Sequence, residues 1–247
     1  MPNVPANVVK ELAPTGKLRV AMNFGNSVLA QKDSVTGAPR GVAAALAREL
    51  ARRLDVEIAF TGFDAAGKVT DAAKEGGLDI VFLAIDPVRG AGIDFTGPYV
   101  LIEGAYAVPV DSKIERNEEV DVAGHRVAVA KGSAYDLYLT RAIKNATLVR
   151  EPSGPQAMDR FVRDKLEVAA GVKQPIVAFA KRHGGLRVLP GRFMVIEQAM
   201  GTMKGRPAGS RYLREFIEQM KASGFVAKAL AESGQTDAGV APPTPIA

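Results

Sequence analysis

Four stretches of the 247-residue chain hold residue types whose spacing could do chemistry. Gly62-Phe63-Asp64-Ala65-Ala66-Gly67-Lys68-Val69 has the G-x-x-x-x-G-K spacing of a phosphate-binding loop, between an expected strand and an expected helix. That loop needs Ser or Thr after its lysine to hold magnesium, and Val69 stands there, so nucleotide hydrolysis is not expected. Gly132-Ser133-Ala134 opens an expected helix straight after a strand. Free backbone N–H groups at a helix start attract anions, and Ser133 adds a hydroxyl donor; the competing reading is a plain N-cap serine. No G-x-S-x-G elbow surrounds Ser133, which argues against a nucleophile. His125 and His183 show no paired spacing, so metal binding is not expected. The most specific stretch is Leu78 to Tyr99, in which a buried strand runs into a turn bearing Arg89, followed by a second short strand ending in Pro98-Tyr99. An arginine at the carboxyl end of a parallel strand can grip a carboxylate with two parallel hydrogen bonds; the alternative is a surface arginine before a loop.

The elements that would position these residues follow from periodicity. Lys17 to Met22 reads as a strand, Asn23 to Gly41 as a long loop, and Val42 to Leu54 as a helix with Leu46, Leu50 and Leu54 on one face. Val56 to Phe60 reads as a strand, Val69 to Lys74 as a helix, and the apolar run Leu78 to Leu83 as a strand buried on both faces. A second unit repeats the order. Its strands are expected at 126–130, 147–150, 167–172 and 186–189. Its helices are expected at 133–141, 155–163 and 175–181, the last with Pro175 in its first turn. A helix from Pro207 to Ala222 follows, with Gly224 as its cap. Residues 1–16, with Pro2, Pro5 and Pro14, are expected to be a loose lead-in. The tail from Gly234, with Pro242, Pro243 and Pro245, is expected to be disordered. Alternation of strand and helix implies right-handed crossovers and mostly parallel sheets.

Composition narrows the function classes. The hydrophobic fraction is 47% and the charged fraction 24%, which is ordinary globular usage and excludes disorder, collagen or a coiled coil as the whole chain. There is no cysteine, so disulfides, thiolate metal sites and cysteine nucleophiles are excluded. Lys and Arg exceed Asp and Glu by 32 to 27, a net charge of +5 spread without a run of five like charges. Nucleic-acid binding would want a concentrated basic stripe and is not expected. No apolar run reaches the roughly 18 residues of a spanning helix. Met1-Pro2-Asn3-Val4-Pro5 lacks the basic and apolar regions of a signal peptide, so the chain reads either as a mature form restarted at methionine or as a cytosolic protein.

Taken together, these segments resemble the periplasmic solute-binding proteins of the amino-acid type, family 3, that serve ABC transporters. The resemblance runs from about Lys17 to Gln235. It rests on Gly41-Val42, Leu78-Asp79-Ile80, Arg89 with Asp94-Phe95-Thr96-Gly97-Pro98-Tyr99, Val127-Ala128-Val129 with Gly132-Ser133, and Gln174-Pro175. It implies an α/β fold of two lobes, the type II periplasmic-binding-protein fold, each lobe a mostly parallel sheet flanked by helices. Lobe 1 would hold residues 1–104 and 203–247, lobe 2 residues 108–197, with hinge strands near 104–108 and 197–202. Ligand would bind in the interlobe cleft, and closure would present the protein to a membrane permease. The resemblance implies no cofactor and a monomer.

The resemblance also assigns residues. The arginine matching Arg89 binds the ligand carboxylate, and Gly132, Ser133 and Ala134 assist from the other lobe. Elsewhere this chain departs from the pattern. Lys173, before Gln174-Pro175, replaces the aspartate that pairs with the ligand's α-ammonium, and a lysine would repel that group. Asn23 fills a second acidic position at the end of the first strand. Asn26 and Ala65 fall where aromatics often cover the ligand, and Ala84 replaces a threonine, with Asp86 nearby. The expected ligand is therefore a small anion without an α-ammonium, a mono- or dicarboxylate or another oxyanion. The alternative is that Lys173 points away and Asp86 holds an amine. Two further readings stay open. One is an enzyme of the cyclohexadienyl dehydratase type, with Asp86 or Glu103 as a general acid of raised pKa. The other is a soluble sensor.

Overall fold

The computed structural model describes residues 4–246. It divides the chain into two compact units, one formed by residues up to Leu101 and from Glu197 onward, the other by Ile102–Ile196. The chain crosses from the first to the second along one strand and returns along another.

The first unit opens with α1 (Ala6–Leu12), β1 (Lys17–Asn23), a short antiparallel hairpin β2 (Gln31–Lys32) and β3 (Pro39–Arg40), and α2 (Val42–Leu54). It continues with β4 (Glu57–Phe63), α3 (Ala66–Glu75), β5 (Ile80–Ala84) and the single turn α4 (Pro87–Gly90). β6 (Ile93–Pro109) leads out. In the second unit β7 (Arg126–Ala130), α5 (Ala134–Ala142), β8 (Thr147–Glu151), α6 (Gly154–Arg163), β9 (Val168–Val172), α7 (Lys173–His183) and β10 (Leu186–Val188) follow. β11 (Met194–Met203) returns, and α8 (Pro207–Ala222), α9 (Phe225–Glu232) and β12 (Gly239–Val240) complete the first unit.

The strand order is β4-β1-β5-β11-β6 in the first unit and β6-β9-β7-β8 in the second. Strands β1, β4 and β5 are mutually parallel, as are β7, β8 and β9, as alternating strands and helices require. The antiparallel pairs are β11 with β5, β9, β10 and β12 with β6, and the β2–β3 hairpin. Every residue of β5 is buried, which is why its sequence Ile-Val-Phe-Leu-Ala is uninterrupted by a polar residue.

The second unit shows the alternation rule clearly. Val127, Val129, Val168, Ala170, Tyr106 and Val108 pack with Leu139 of α5, while Ala105, Ala107, Ala128 and Ala169 face Ala157 and Phe161 of α6 and Ile176 of α7. Small alanines on the second face let two helices approach the sheet closely.

Asp79, immediately before β5, is fully buried. Its carboxylate accepts from Arg19 Nε and Nη2, both at 2.8 Å, and from Arg206 Nη1 at 3.0 Å. This ties β1, β5 and the start of α8 together.

Several sequence expectations change. The lead-in is not loose throughout. Ala6–Leu12 forms α1, whose Leu12 packs so tightly on α8 that a Cβ at Gly209 would lie 2.7 Å from it, and Glu11 accepts from the Gly209 N–H. Met1, Pro2 and Asn3 of that lead-in lie outside the described residues. α7 begins at Lys173, two residues before the expected start, so Lys173 and Gln174 are helical. The short strand expected after Arg89 is the first part of β6, which runs unbroken to Pro109.

Among the described residues the tail is tied to β6 and α8 rather than disordered; Ala247 lies outside the described residues. Gly239 and Val240 pair with Leu101 and Val100, and Ala241 N–H donates to the Tyr99 carbonyl. The Lys221 ammonium donates to the carbonyls of Pro98 and Pro242, and Glu218 accepts from Thr244 N–H. Thr244 occupies the space a side chain at Gly97 would need, since a Cβ there would lie 2.5 Å from its hydroxyl. Three prolines discourage helix but not a strap whose carbonyls find donors.

Candidate functional site

In the first unit the residues around the end of β5 form one cluster. Arg89, in the turn α4, is only 2% exposed. Its Nη1 donates to the Ala84 carbonyl at 2.9 Å, using the last carbonyl of β5. Asp86 caps α4, its Oδ1 accepting from Val88 N–H at 2.8 Å. Burial pulls the Arg89 pKa down to about 10, and the neighbouring Asp86 carboxylate acts in the opposite direction. The structure thus brings Ala84, Asp86 and Arg89 together through contacts at most five residues apart. Ala84 contributes a carbonyl where a threonine was expected to contribute a hydroxyl.

Asn23 and Asn26 lie in the loop after β1 and shape it. Asn23 Oδ1 accepts from Gly25 N–H at 3.1 Å, and Asn26 Oδ1 from Val28 N–H at 3.3 Å, so both amides serve local turns. Gly25 is required there, because a Cβ would sit 2.3 Å from the Asp64 carbonyl oxygen. The ring of this loop is Phe24, which the sequence reading passed over. Its edge lies against Gly62, where a Cβ would come within 2.6 Å, and the Lys32 ammonium stands 4.9 Å from its centroid. Ala65 is the buried N-cap of α3. Gly67 is inside α3, and Lys68 pairs with Asp64 at 2.7 Å, so the G-x-x-x-x-G-K segment forms no phosphate cradle.

In the second unit Gly132, Ser133 and Ala134 start α5. Ser133 Oγ accepts from Asp136 N–H at 3.1 Å, and Asp136 Oδ2 accepts from Gly132 N–H at 2.8 Å. Ser133 is thus the N-cap of α5, and Asp136, the third helical residue, holds the amide just before the cap. Asp136 also receives Arg150 Nε at 2.9 Å. Burial pushes the hydroxyl of the adjacent Tyr135 up to about 12, partly offset by its hydrogen bond to Ser133. The N-cap serine was one of the two readings of the triplet, and the Ser-x-x-Asp spacing is the signal that would have added Asp136 to it.

Lys173 and Gln174 occupy the first turn of α7. Lys173 Nζ donates to Glu103 Oε2 at 2.6 Å, and Arg192 Nη1 donates to Glu103 Oε1 at 3.0 Å. Two cations and one carboxylate leave this group at +1. Its side chains are a third to a half exposed, 38% for Lys173, 33% for Glu103 and 54% for Arg192. Gln174 Oε1 is shielded from solvent and accepts no hydrogen bond. The Lys173 ammonium holds the Glu103 carboxyl below the ordinary range, partly offset by desolvation and reinforced by Arg192. A general acid needs its pKa raised, and these partners act on Glu103 in the other direction.

The histidines stay apart from these clusters: His125 Nδ1 is 3.0 Å from the Val120 carbonyl, and His183 stacks on Phe179. Among the described residues no group of three His, Asp or Glu is placed to hold a metal ion, and no helix is long and apolar enough to cross a membrane.

Against this geometry stand the relatives. None of the curated proteins matches the chain. A solute receptor for L-cysteine of Neisseria gonorrhoeae superposes with a TM-score of 0.78 at 19% identity, covering 91% of this chain and 92% of that one. A cysteine-binding protein from Campylobacter jejuni gives 0.77 at 19% identity with the same coverage. The ancestral amino acid-binding protein AncCDT-1, a precursor of cyclohexadienyl dehydratase, gives 0.75 at 23% identity over 91% of this chain and 98% of that one. At such identities the likeness carries the two-lobed periplasmic-binding-protein fold and not the ligand. In sequence, the pattern of the bacterial extracellular solute-binding proteins, family 3, matches residues 19–234, and the chain belongs to that family.

Proposed function

We propose that this chain is the solute-binding receptor of an ABC importer, working in the periplasm as a monomer. It captures a small carboxylate-bearing ligand that lacks an α-ammonium, and hinge closure of the two units presents the loaded form to the permease. The observation that carries this reading is Arg89: a buried guanidinium at the end of β5, fixed by the Ala84 carbonyl and faced by the Asp86 charge. A guanidinium matches a carboxylate in shape and can hold it by two parallel hydrogen bonds. The anionic preference is supported by Lys173, which stands where the family's ammonium-binding aspartate would be. Even with Glu103 bound to it, its cluster keeps a net charge of +1. Asp86, the other candidate for an amine, is occupied as a helix cap.

Thermal shift over a panel of carboxylates and α-amino acids tests the reading. A ligand present at 100 times its Kd stabilises the folded protein by about 2.7 kcal/mol. Shifts with carboxylates and none with ordinary α-amino acids are expected. The opposite pattern sinks the anionic assignment while leaving the receptor assignment in place.

A further inference from the structure

We propose that the first unit holds a second binding site, a cavity beside its C-terminal strap that takes a linear zwitterion, an apolar chain with a carboxylate at one end and an ammonium at the other. The cavity measures about 480 Å³, within the roughly 300–1,000 Å³ of small-molecule sites. Every residue that lines it belongs to the first unit. Neither Asp86 nor Arg89 is among them, so the site is separate from the one proposed above. Its apolar wall is Ile85, Phe95, Leu101, Pro242 and Pro245. Ile85 directly follows the fully buried β5 and is 39% exposed, and an apolar chain laid on it would remove that surface from water.

Two oppositely charged side chains line the same cavity, Glu197 of β11 and Arg214 of α8, and they do not pair with each other. Among the described residues the Glu197 carboxylate has no hydrogen-bond or ion-pair partner, and Arg214 has one hydrogen bond, from Nη2 to Ser210 Oγ at 3.3 Å. A ligand that carries both charges satisfies both groups: the guanidinium takes its carboxylate, and Glu197 takes its ammonium. A simple carboxylate or a simple amine serves only one of them. The walls are tied in place. Ile85 N–H donates to the Glu197 carbonyl at 2.9 Å, and the Lys221 ammonium joins the carbonyls of Pro98 and Pro242. Because Pro242 belongs to the strap and Pro245 follows it, an occupant of the cavity also holds the strap against β6.

The test titrates the chain calorimetrically with 4-aminobutanoate, 6-aminohexanoate and 8-aminooctanoate, with hexanoate and hexylamine as single-charge controls. Arg89→Met serves as the background, because it removes the carboxylate site proposed above. At least one of the three zwitterions is expected to bind this variant, and both controls at least about fivefold more weakly. Adding Arg214→Leu or Glu197→Gln should weaken the zwitterion by a similar factor. In the wild-type chain the same zwitterion should slow hydrogen exchange of the Ala241 amide, which donates to the Tyr99 carbonyl at 3.1 Å, and Arg214→Leu should abolish that slowing. Binding of none of the three to a folded Arg89→Met chain, or binding indifferent to both further substitutions, overturns the proposal and leaves carboxylate capture at Arg89 untouched. If Arg89→Met does not fold, the Ala241 amide decides: exchange unchanged by all three zwitterions, or slowed equally in Arg214→Leu, overturns it.

Discussion

The two cationic sites of this chain, one in each unit, are built by opposite means. Arg89 is held by neighbours in sequence, the Ala84 carbonyl and the Asp86 charge, and is almost wholly buried. Lys173 is held by Glu103, 70 residues away, which it shares with Arg192, and all three side chains reach solvent. The difference separates a local, enclosed charge from a long-range, solvent-facing one. A buried cation tied to a strand end has a position fixed by its neighbours. A half-exposed ion cluster has a charge that one substitution can reset.

That contrast confounds burial with sequence range, and Asp79 separates the two. It is fully buried, like Arg89, yet its partners Arg19 and Arg206 are 60 and 127 residues away. If burial decides the energetics, Asp79→Ala should cost about 3–5 kcal/mol, because two guanidinium groups lose their shared anion. A urea unfolding curve measures this, and a loss under about 1 kcal/mol would break the comparison at its base. Next in size is Arg89→Met, expected to weaken carboxylate binding at least hundredfold, about 2.7 kcal/mol or more. Isothermal titration reads it, and a change within tenfold would remove Arg89 from the ligand.

Lys173→Met should be milder in both respects. Its exposed ion pair is worth about 0.2–1 kcal/mol of stability, and affinity for a monocarboxylate should change less than about tenfold. The smallest effect is one of pH. The Glu103 carboxyl is held below its usual value of 4.5, so its contribution to stability is present above that pH. It is lost as pH falls through the lower folded-state value. The stability difference between wild type and Glu103→Gln should therefore shrink as pH is lowered from about 6 to about 3. A difference that grows instead would reverse the assigned direction.

How much of this was legible beforehand depends on range. β1, α2, β5, β7 and α8 follow from apolar spacing because each buries a face set by its own period. α1 was missed because Pro5 and Pro14 suggested a loose segment, although Pro5 serves as its N-cap. α9 was missed because eight residues after Gly224 hold too few turns to show a period. At the site, Ala84, Asp86 and Arg89 were readable together, since their contacts are local. The partnership of Lys173 with Glu103 and Arg192 was not, because no local pattern links positions 103, 173 and 192. A lysine replacing an aspartate was visible; the carboxylate that answers it required the folded chain.

The strap of Gly239 to Thr244 on β6 has a consequence for the order in which the chain is finished. The second unit is one continuous stretch and has all its strands once residue 196 is made. In the first unit β5 waits for β11 on one side, and β6 waits for β12, which follows the second unit in the chain. Multidomain chains usually complete the N-terminal part first as synthesis proceeds. Here the part that begins the chain is completed last. Loss of the strap is therefore felt at Tyr99 and Gly97, in the strand that leads toward the second unit.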